Sequence, residues 1–341
     1  MTASAVPAAV PAAARATVHV TVAVPTYRRP DDLRALLPVL CHQAAEVTAG
    51  SAGRYAVDVL VVDNDPERGA AGVVAEAGGP GVCYAAEPTP GIAAVRNRAM
   101  DEAAGSRLLA FIDDDERPRE QWLAALLDTW ADSGAAAVSG RVLAEYAGQL
   151  DPWLEAGGFF VRRNLPSGTG IDTAAAGNLL LDLDQVRACG TRFESALGLG
   201  GGEDTLFSRS LARAGGRMVW CAESAVVDQV PAERMTRRWV LTRAWSHGNG
   251  AVLTELRLTA GTAPRLAVRA RGLVRGLLRM AGGTARWALG LLARAPRHRA
   301  RGLRALCRGA GMVGGALGVV YQEYARGGRR WRLARLPEPR R

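Results

Sequence analysis

Leu108 to Trp122 reads LLAFIDDDERPREQW, and the reading of this stretch decides the fold. Leu108 to Ile112 carries only apolar side chains and suits a buried strand. It runs straight into Asp113, Asp114 and Asp115, and a helix-like segment follows from about Arg119 to Ala131. Three adjacent carboxylates repel one another, so their place at the mouth of a buried strand costs stability unless a cation or a donor-rich ligand compensates. Oxygen-only ligands suit Mg²⁺ or Mn²⁺; Mg²⁺ takes one or two protein carboxylates and leaves its other positions to water and phosphates. A solvated acidic loop is the alternative these residues leave open.

On either side, strands and helices alternate. Val18 to Pro25 (VHVTVAVP) alternates and is rich in Val, a strand ending at Pro25-Thr26-Tyr27. Pro30-Asp31-Asp32 opens an amphipathic helix through about Gln43. Ala56 to Val62 is a second strand that runs into Asp63-Asn64-Asp65-Pro66, and Val82 to Ala86 is a short third. Ile92 to Ala104 is helical, and Ala135 to Tyr146 is a further strand. This order predicts an α/β fold with a parallel sheet built from βαβ units. Three polar clusters then fall where a strand gives way to a loop, the carboxyl edge at which open α/β sheets bind ligands.

Charge is divided unevenly along the 341 residues: 262–341 hold 19 arginines against Glu323 and Glu338, while the rest is mildly acidic. Lysine is absent, as high genomic GC content explains. Cys41, Cys83, Cys189, Cys221 and Cys307 are scattered without CxxC or Cys/His spacing, which argues against zinc and for a reducing, cytoplasmic environment. Residues 1–16 read as a flexible Ala/Pro leader, and no uncharged apolar run is long enough to span a bilayer.

Five segments in order, VAVPTYRRPDDL, VLVVDND, PGIAAVRNRAM, LLAFIDDDERPREQWL and GGEDTLFSRSLARAG, resemble an inverting family 2 glycosyltransferase of the GT-A fold. The closest likeness is to the bacterial branch that adds single sugars in polysaccharide or natural-product assembly. The resemblance implies a GT-A (Rossmann-like) domain over 17–250 with a mostly parallel central sheet, a nucleotide-sugar donor, and Mg²⁺ or Mn²⁺. By resemblance, Pro25, Thr26, Tyr27 and Arg28 line the nucleotide pocket and Asp63 accepts a hydrogen bond from the base; locally, a strand-ending turn and a helix N-cap are the competing readings. Arg96 and Asn97 match the family's Arg-Asn pair, a contact to donor and acidic loop, whereas Arg98 suits a solvated helix face. Asp113 and Asp115 form the DxD: Asp115 ligates the cation, Asp113 holds the ribose or a metal-bound water, and Asp114 faces away.

Asn178, in a strand behind the acceptor site, faces that site in this reading. Gly198, Gly200, Gly201 and Gly202 precede Glu203 and Asp204, which open a helix. Locally the two acids complement the helix dipole; by resemblance Asp204 is the general base and Glu203 a substrate contact. Where the family commonly carries a His after the following strand, this chain has Asp228 and Gln229. Arg234, Arg237, Arg238 and Trp239 are similar to the family's basic, aromatic lid, and lone His247 reads as structural. A catalytically inactive nucleotide-sugar-binding or scaffold protein is the alternative function.

The remaining 251–341 form an Arg-rich helical tail in which apolar clusters alternate with Arg. Basic amphipathic helices suit an anionic membrane surface. The Leu and Val clusters would be wasted on nucleic acid, and no nucleic-acid motif appears. Packing on the acidic body is a third reading. Together these features predict a peripheral enzyme at the inner face of the cell membrane, acting on a lipid-linked or otherwise hydrophobic acceptor.

Overall fold

The computed structural model describes residues 16–77, 79, 81–195, 201–321 and 331–333. The expected leader, apart from Ala16, and Gly198 and Gly200 lie outside the described residues. In chain order the first half holds β1 (Val18–Thr26), α1 (Pro30–Gly50), β2 (Tyr55–Asp63), α2 (Ala71–Ala77), β3 (Val82–Ala86), α3 (Ile92–Glu102), β4 (Leu108–Ile112), β5 (Glu116–Pro118) and α4 (Trp122–Ser133). There follow β6 (Ala137–Tyr146), α5 (Pro152–Gly157), β7 (Gly170–Ile171), β8 (Asn178–Asp182), α6 (Leu183–Ala188), α7 (Glu203–Arg213) and β9 (Met218–Val230). Three long helices, α8 (Arg237–Arg257), α9 (Thr262–Leu292) and α10 (Pro296–Ala316), precede the small ladder of β10 (Val319–Tyr321) and β11 (Trp331–Leu333).

The main sheet runs β3-β2-β1-β4-β8-β6-β9-β5, with β7 also on β9. Strands β1 to β4 pair in parallel, as the βαβ alternation requires. Beyond β4 the expected mostly parallel sheet is corrected to a mixed one. There β8 is antiparallel to both β4 and β6, β6 and β9 are parallel, and β5 and β7 oppose β9. Irregular chain, not a crossover helix, leads into β8, so nothing imposes a parallel entry.

Both faces of the sheet are covered. Leu108, Ala110 and Ile112 of β4 pack with Leu33, Leu36 and Leu40 of α1 and Leu126 of α4; Leu109 and Phe111 pack on the other side with Val95 of α3 and Phe207 of α7. This double burial is why β4 shows no apolar–polar alternation. Register then sets the edge. Ala23 lies opposite Phe111 and Thr26 opposite Asp63, so the ends of β1, β2 and β4 bring Thr26, Asp63 and the acidic triplet to one level.

The expected domain boundary at 250 falls inside α8. Helix α10 packs between α8 and α9 and against α5, and Ala300 shares a core with Trp153, Leu154, Phe160, Val230 and Val240. No helix among the described residues is long and apolar enough to cross a membrane.

Candidate active site

At the exit of β1, Thr26 Oγ1 donates to Asp114 Oδ2 at 2.8 Å. Arg29 Nη1 reaches Asp114 Oδ1 at 2.8 Å and Asp115 Oδ2 at 2.7 Å. The middle acid is therefore buried against β1, tying the loop to the strand it must face. Burial pushes its carboxyl up to about 6, with Arg29 and Thr26 acting in the opposite direction. Glu116 is a fourth acid in the loop, also buried; its Oε2 accepts from the Asp113 backbone N–H at 3.3 Å. Burial, then the Asp113 charge, hold its carboxyl well above the usual range. Gly177 makes room for this crowd: a Cβ there would lie 2.7 Å from Glu116 Oε2 and 2.9 Å from Asp113 Oδ2.

A second set of acids meets the first through Arg96. Its guanidinium is buried under the loop, 2.5 Å from Glu203 Oε1 and 3.4 Å from Asp113 Oδ1, and lies over the Phe193 ring at 5.6 Å. Asp113 keeps 36% of its side chain open. Protein nonetheless surrounds it deeply enough that burial raises its carboxyl; Arg96 opposes the rise, and the charges of Asp115 and Asp204 add to it. Glu203 is likewise raised by burial, against Arg96 and with Asp204. Glu203 and Asp204 form the first turn of α7, where the helix N-terminus favours negative charge. Asp204 Oδ1 accepts from the Thr205 N–H at 2.6 Å. DxD loop and α7 start are thus joined through one arginine, which Asp113 and Glu203 share, with Asp204 next to Glu203.

Several expected contacts are placed elsewhere. Asn178 does not face the cleft: its amide accepts from Trp122 Nε1 at 2.9 Å and donates to the carbonyls of Arg141 and Ser224 at 3.0 and 3.2 Å, inside the sheet. A wholly satisfied amide at 1% exposure is a packing element. Asn97 holds the chain before the Gly-rich turn, donating to Phe193 O at 2.8 Å and accepting from Phe193 N at 3.0 Å. Asp63 is buried and accepts from the backbone N–H groups of Asp65 and Ala70 and from Tyr84 Oη, which makes it chiefly the cap of the loop before α2. Arg28 turns to Asp65 and Glu67 and lies 5.4 Å from the Tyr27 ring, while Pro25 is buried where the ladder continues with β2 beyond the last β4 pair. Exposed His247 lies on α8.

Of the two residues at the family's His position, Gln229 points to Glu145 at 2.6 Å. Asp228 sits opposite Glu116 in the β5–β9 ladder and accepts from Arg162 at 2.6 Å. Arg234 Nη2 lies 3.2 Å from Asp115 and its Nη1 3.8 Å from Asp228, so one guanidinium spans both carboxylates. Sequence reading had omitted Arg29, Glu116 and Arg162. Glu116 was legible as the fourth acid of DDDE; the arginines carried no local signal. Asp113 and Asp115 offer only oxygen, the donor chemistry a hard cation takes, and Arg29 and Arg234 supply the positive charge at Asp115. No group of three His, Cys, Asp or Glu is clustered tightly enough to hold a metal among the described residues. One or two carboxylates with phosphate and water is the coordination Mg²⁺ favours.

The fold is that of the GT-A glycosyltransferases. A similar solved structure, mannosyltransferase PcManGT from Pyrobaculum calidifontis in complex with GDP-Man and Mn²⁺, superposes with a TM-score of 0.57 at 19% identity, covering 87% of this chain and 86% of that one. The pattern of the glycosyl transferase family 2 domain matches residues 21–182. Succinoglycan biosynthesis protein ExoM of Rhizobium meliloti (strain 1021) is 34% identical over 240 residues, 69% of this chain and 75% of that protein. The chain belongs to glycosyl transferase family 2 and is a glycosyltransferase. The family match ends at Asp182, so Glu203 joins the site by its contact with Arg96, and Asp204 as its neighbour in α7, not by that match.

Proposed function

We propose that this enzyme transfers a sugar from a nucleotide-diphosphate sugar to a hydroxyl of a growing polysaccharide unit, with inversion, and that the acceptor is lipid-linked or otherwise hydrophobic. The observation that carries the reading is Arg96 bridging Asp113 and Glu203, which brings the DxD loop beside Asp204. Similarity to a succinoglycan biosynthesis protein supports polysaccharide assembly as the setting. Five free cysteines suit a reducing cytoplasmic environment.

Asp115 and Asp113 are the residues that would hold Mg²⁺ or Mn²⁺, with Asp228 as the neighbouring carboxylate. When bound, such an ion neutralises charge on the departing nucleoside diphosphate as a Lewis acid. Asp204 would take the proton of the acceptor hydroxyl; its Oδ1 already accepts from the N–H and hydroxyl of Thr205, so the proton goes to Oδ2. Glu203 keeps Arg96, and through it Asp113, in position. Thr26, Tyr27 and Arg28 edge the donor pocket, and Asp63 shapes its floor by fixing the β2–α2 loop. Arg29 and Arg234 would exchange Asp115 for donor phosphate when the ion enters, a role guanidinium forks fill well.

Purified protein incubated with a panel of nucleotide-diphosphate sugars, an acceptor extract and Mn²⁺ or Mg²⁺ is expected to release nucleoside diphosphate and to form a product of inverted anomeric configuration. Asp204→Asn is expected to lower turnover by about 10²–10⁴-fold with donor binding kept. Unchanged turnover in Asp204→Asn, or a retained anomer, would overturn the reading.

A further inference from the structure

We propose that the outward face of α9 is a docking surface for an anionic lipid bilayer. The inference extends the reading of a peripheral enzyme, and its test uses no sugar donor, so either can fail alone.

The packing of α9 fixes which side looks outward. It meets α10 at backbone contact: a Cβ at Gly276 would lie 2.9 Å from the Gly309 carbonyl oxygen, and one at Gly309 2.6 Å from that of Gly276. Gly283 and Gly302 face each other in the same way, at 2.8 and 2.7 Å. Glycine pairs this close leave α9 no freedom to turn about its axis. At about 100° per residue, Gly272, Gly276, Gly283 and Gly290 fall within roughly 40° of arc. Leu266, Val274, Leu277, Leu278, Leu289 and Leu292 occupy an arc of about 140° on the opposite side. All six are exposed, Leu278 at 68% and Leu292 at 84%, with exposed alanines between them.

An apolar stripe about 39 Å long, left exposed by α10, the helix against which α9 packs most closely, is not how a fold hides leucine. Exposed Arg271 and Arg275 run along one flank, and α9 contains no acid. Leucine below and arginine at the side match the boundary between acyl chains and anionic headgroups. An antiparallel second copy laid on the stripe would set these arginines against their own kind. Helix α10 takes no part in the docking face. Its Arg304 donates to Gly158 O at 3.1 Å and lies over the Phe159 ring, and burial lowers the guanidiniums of Arg304 and Arg308. Part of the basic tail therefore docks the hairpin on the body, and α9 presents the remainder.

Flotation of the full chain with vesicles tests the surface. Binding is expected to vesicles of equal parts phosphatidylcholine and phosphatidylglycerol and to be weak with phosphatidylcholine alone. The double variant Leu277→Asn/Leu278→Asn, at exposed positions that leave the melting temperature unchanged, is expected to bind at least about tenfold more weakly. Arg271→Gln and Arg275→Gln are each expected to lose about fivefold. Wild-type protein left unbound with the anionic vesicles, or a double leucine variant that floats equally well, would overturn the proposal. So would a lipid-free dimer, seen by sedimentation equilibrium, that the leucine variant dissolves.

Discussion

The acidic cleft and the α9–α10 hairpin are built on opposite principles. In the cleft, carboxylates are drawn inside and arginines follow them: Asp114 and Asp115 share Arg29, and Asp113 and Glu203 share Arg96. On α9, leucines are pushed outside while glycines fill the contact. Buried charge and exposed leucine each raise the free energy of the isolated chain. Under the two proposals made above, the first is offset by a cation with its diphosphate and the second by lipid.

The sharpest way to break this contrast is at the cation. Asp115→Ala is expected to cut turnover by about 10³-fold, as measured by initial rates across a Mn²⁺ titration. In the wild type Mn²⁺ with nucleoside diphosphate should raise the melting temperature, and in Asp115→Ala it should not. Arg96→Met comes next. It strands Glu203 in the interior, takes the arginine from half-open Asp113, and should cost about 3–5 kcal/mol in urea unfolding. A loss well under that range would mean that the two acids take up their protons without difficulty, and the cleft would resemble an ordinary core.

Third is the pH dependence of Asp114, whose folded carboxyl at about 6 lies above its ordinary value. The native state holds this proton longer than the unfolded chain, so the contribution to stability is complete below about pH 4 and lost as pH rises through about 6. The full span is roughly 3 kcal/mol, and Asp114→Asn should flatten unfolding free energy over that window. Smallest is Asn178→Ala. It leaves Trp122 Nε1 without its acceptor and should cost about 1–3 kcal/mol while acceptor KM stays unchanged. A raised acceptor KM at full stability would return Asn178 to the binding site.

Much of this was readable along the chain. Strands β1 to β4, the helices after β1, β3 and β4, the acidic triplet and the start of α7 at Glu203 are all local patterns: alternation, apolar runs and cap chemistry are written within a few residues of one another, whereas Arg96 was reached by family resemblance. What the sequence could not carry was pairing across distance. Asn178 sits in an apolar strand beside the site in sequence order, yet its partners Trp122, Arg141 and Ser224 come from three separate segments. Glu116 and Asp228 are 112 positions apart and face each other only because β5 lies antiparallel to β9.

By itself the sequence determined the parallel half of the sheet and the crowding of carboxylates at its edge, since backbone period and charge repulsion act between neighbours, and the order of its motifs carried the resemblance that names the chemistry. Tertiary structure alone decided which acids share an arginine, which amide is structural, and which side of α9 looks outward. Those choices depend on how separate elements pack, and packing distances of a few ångströms are set by residues far apart along the chain.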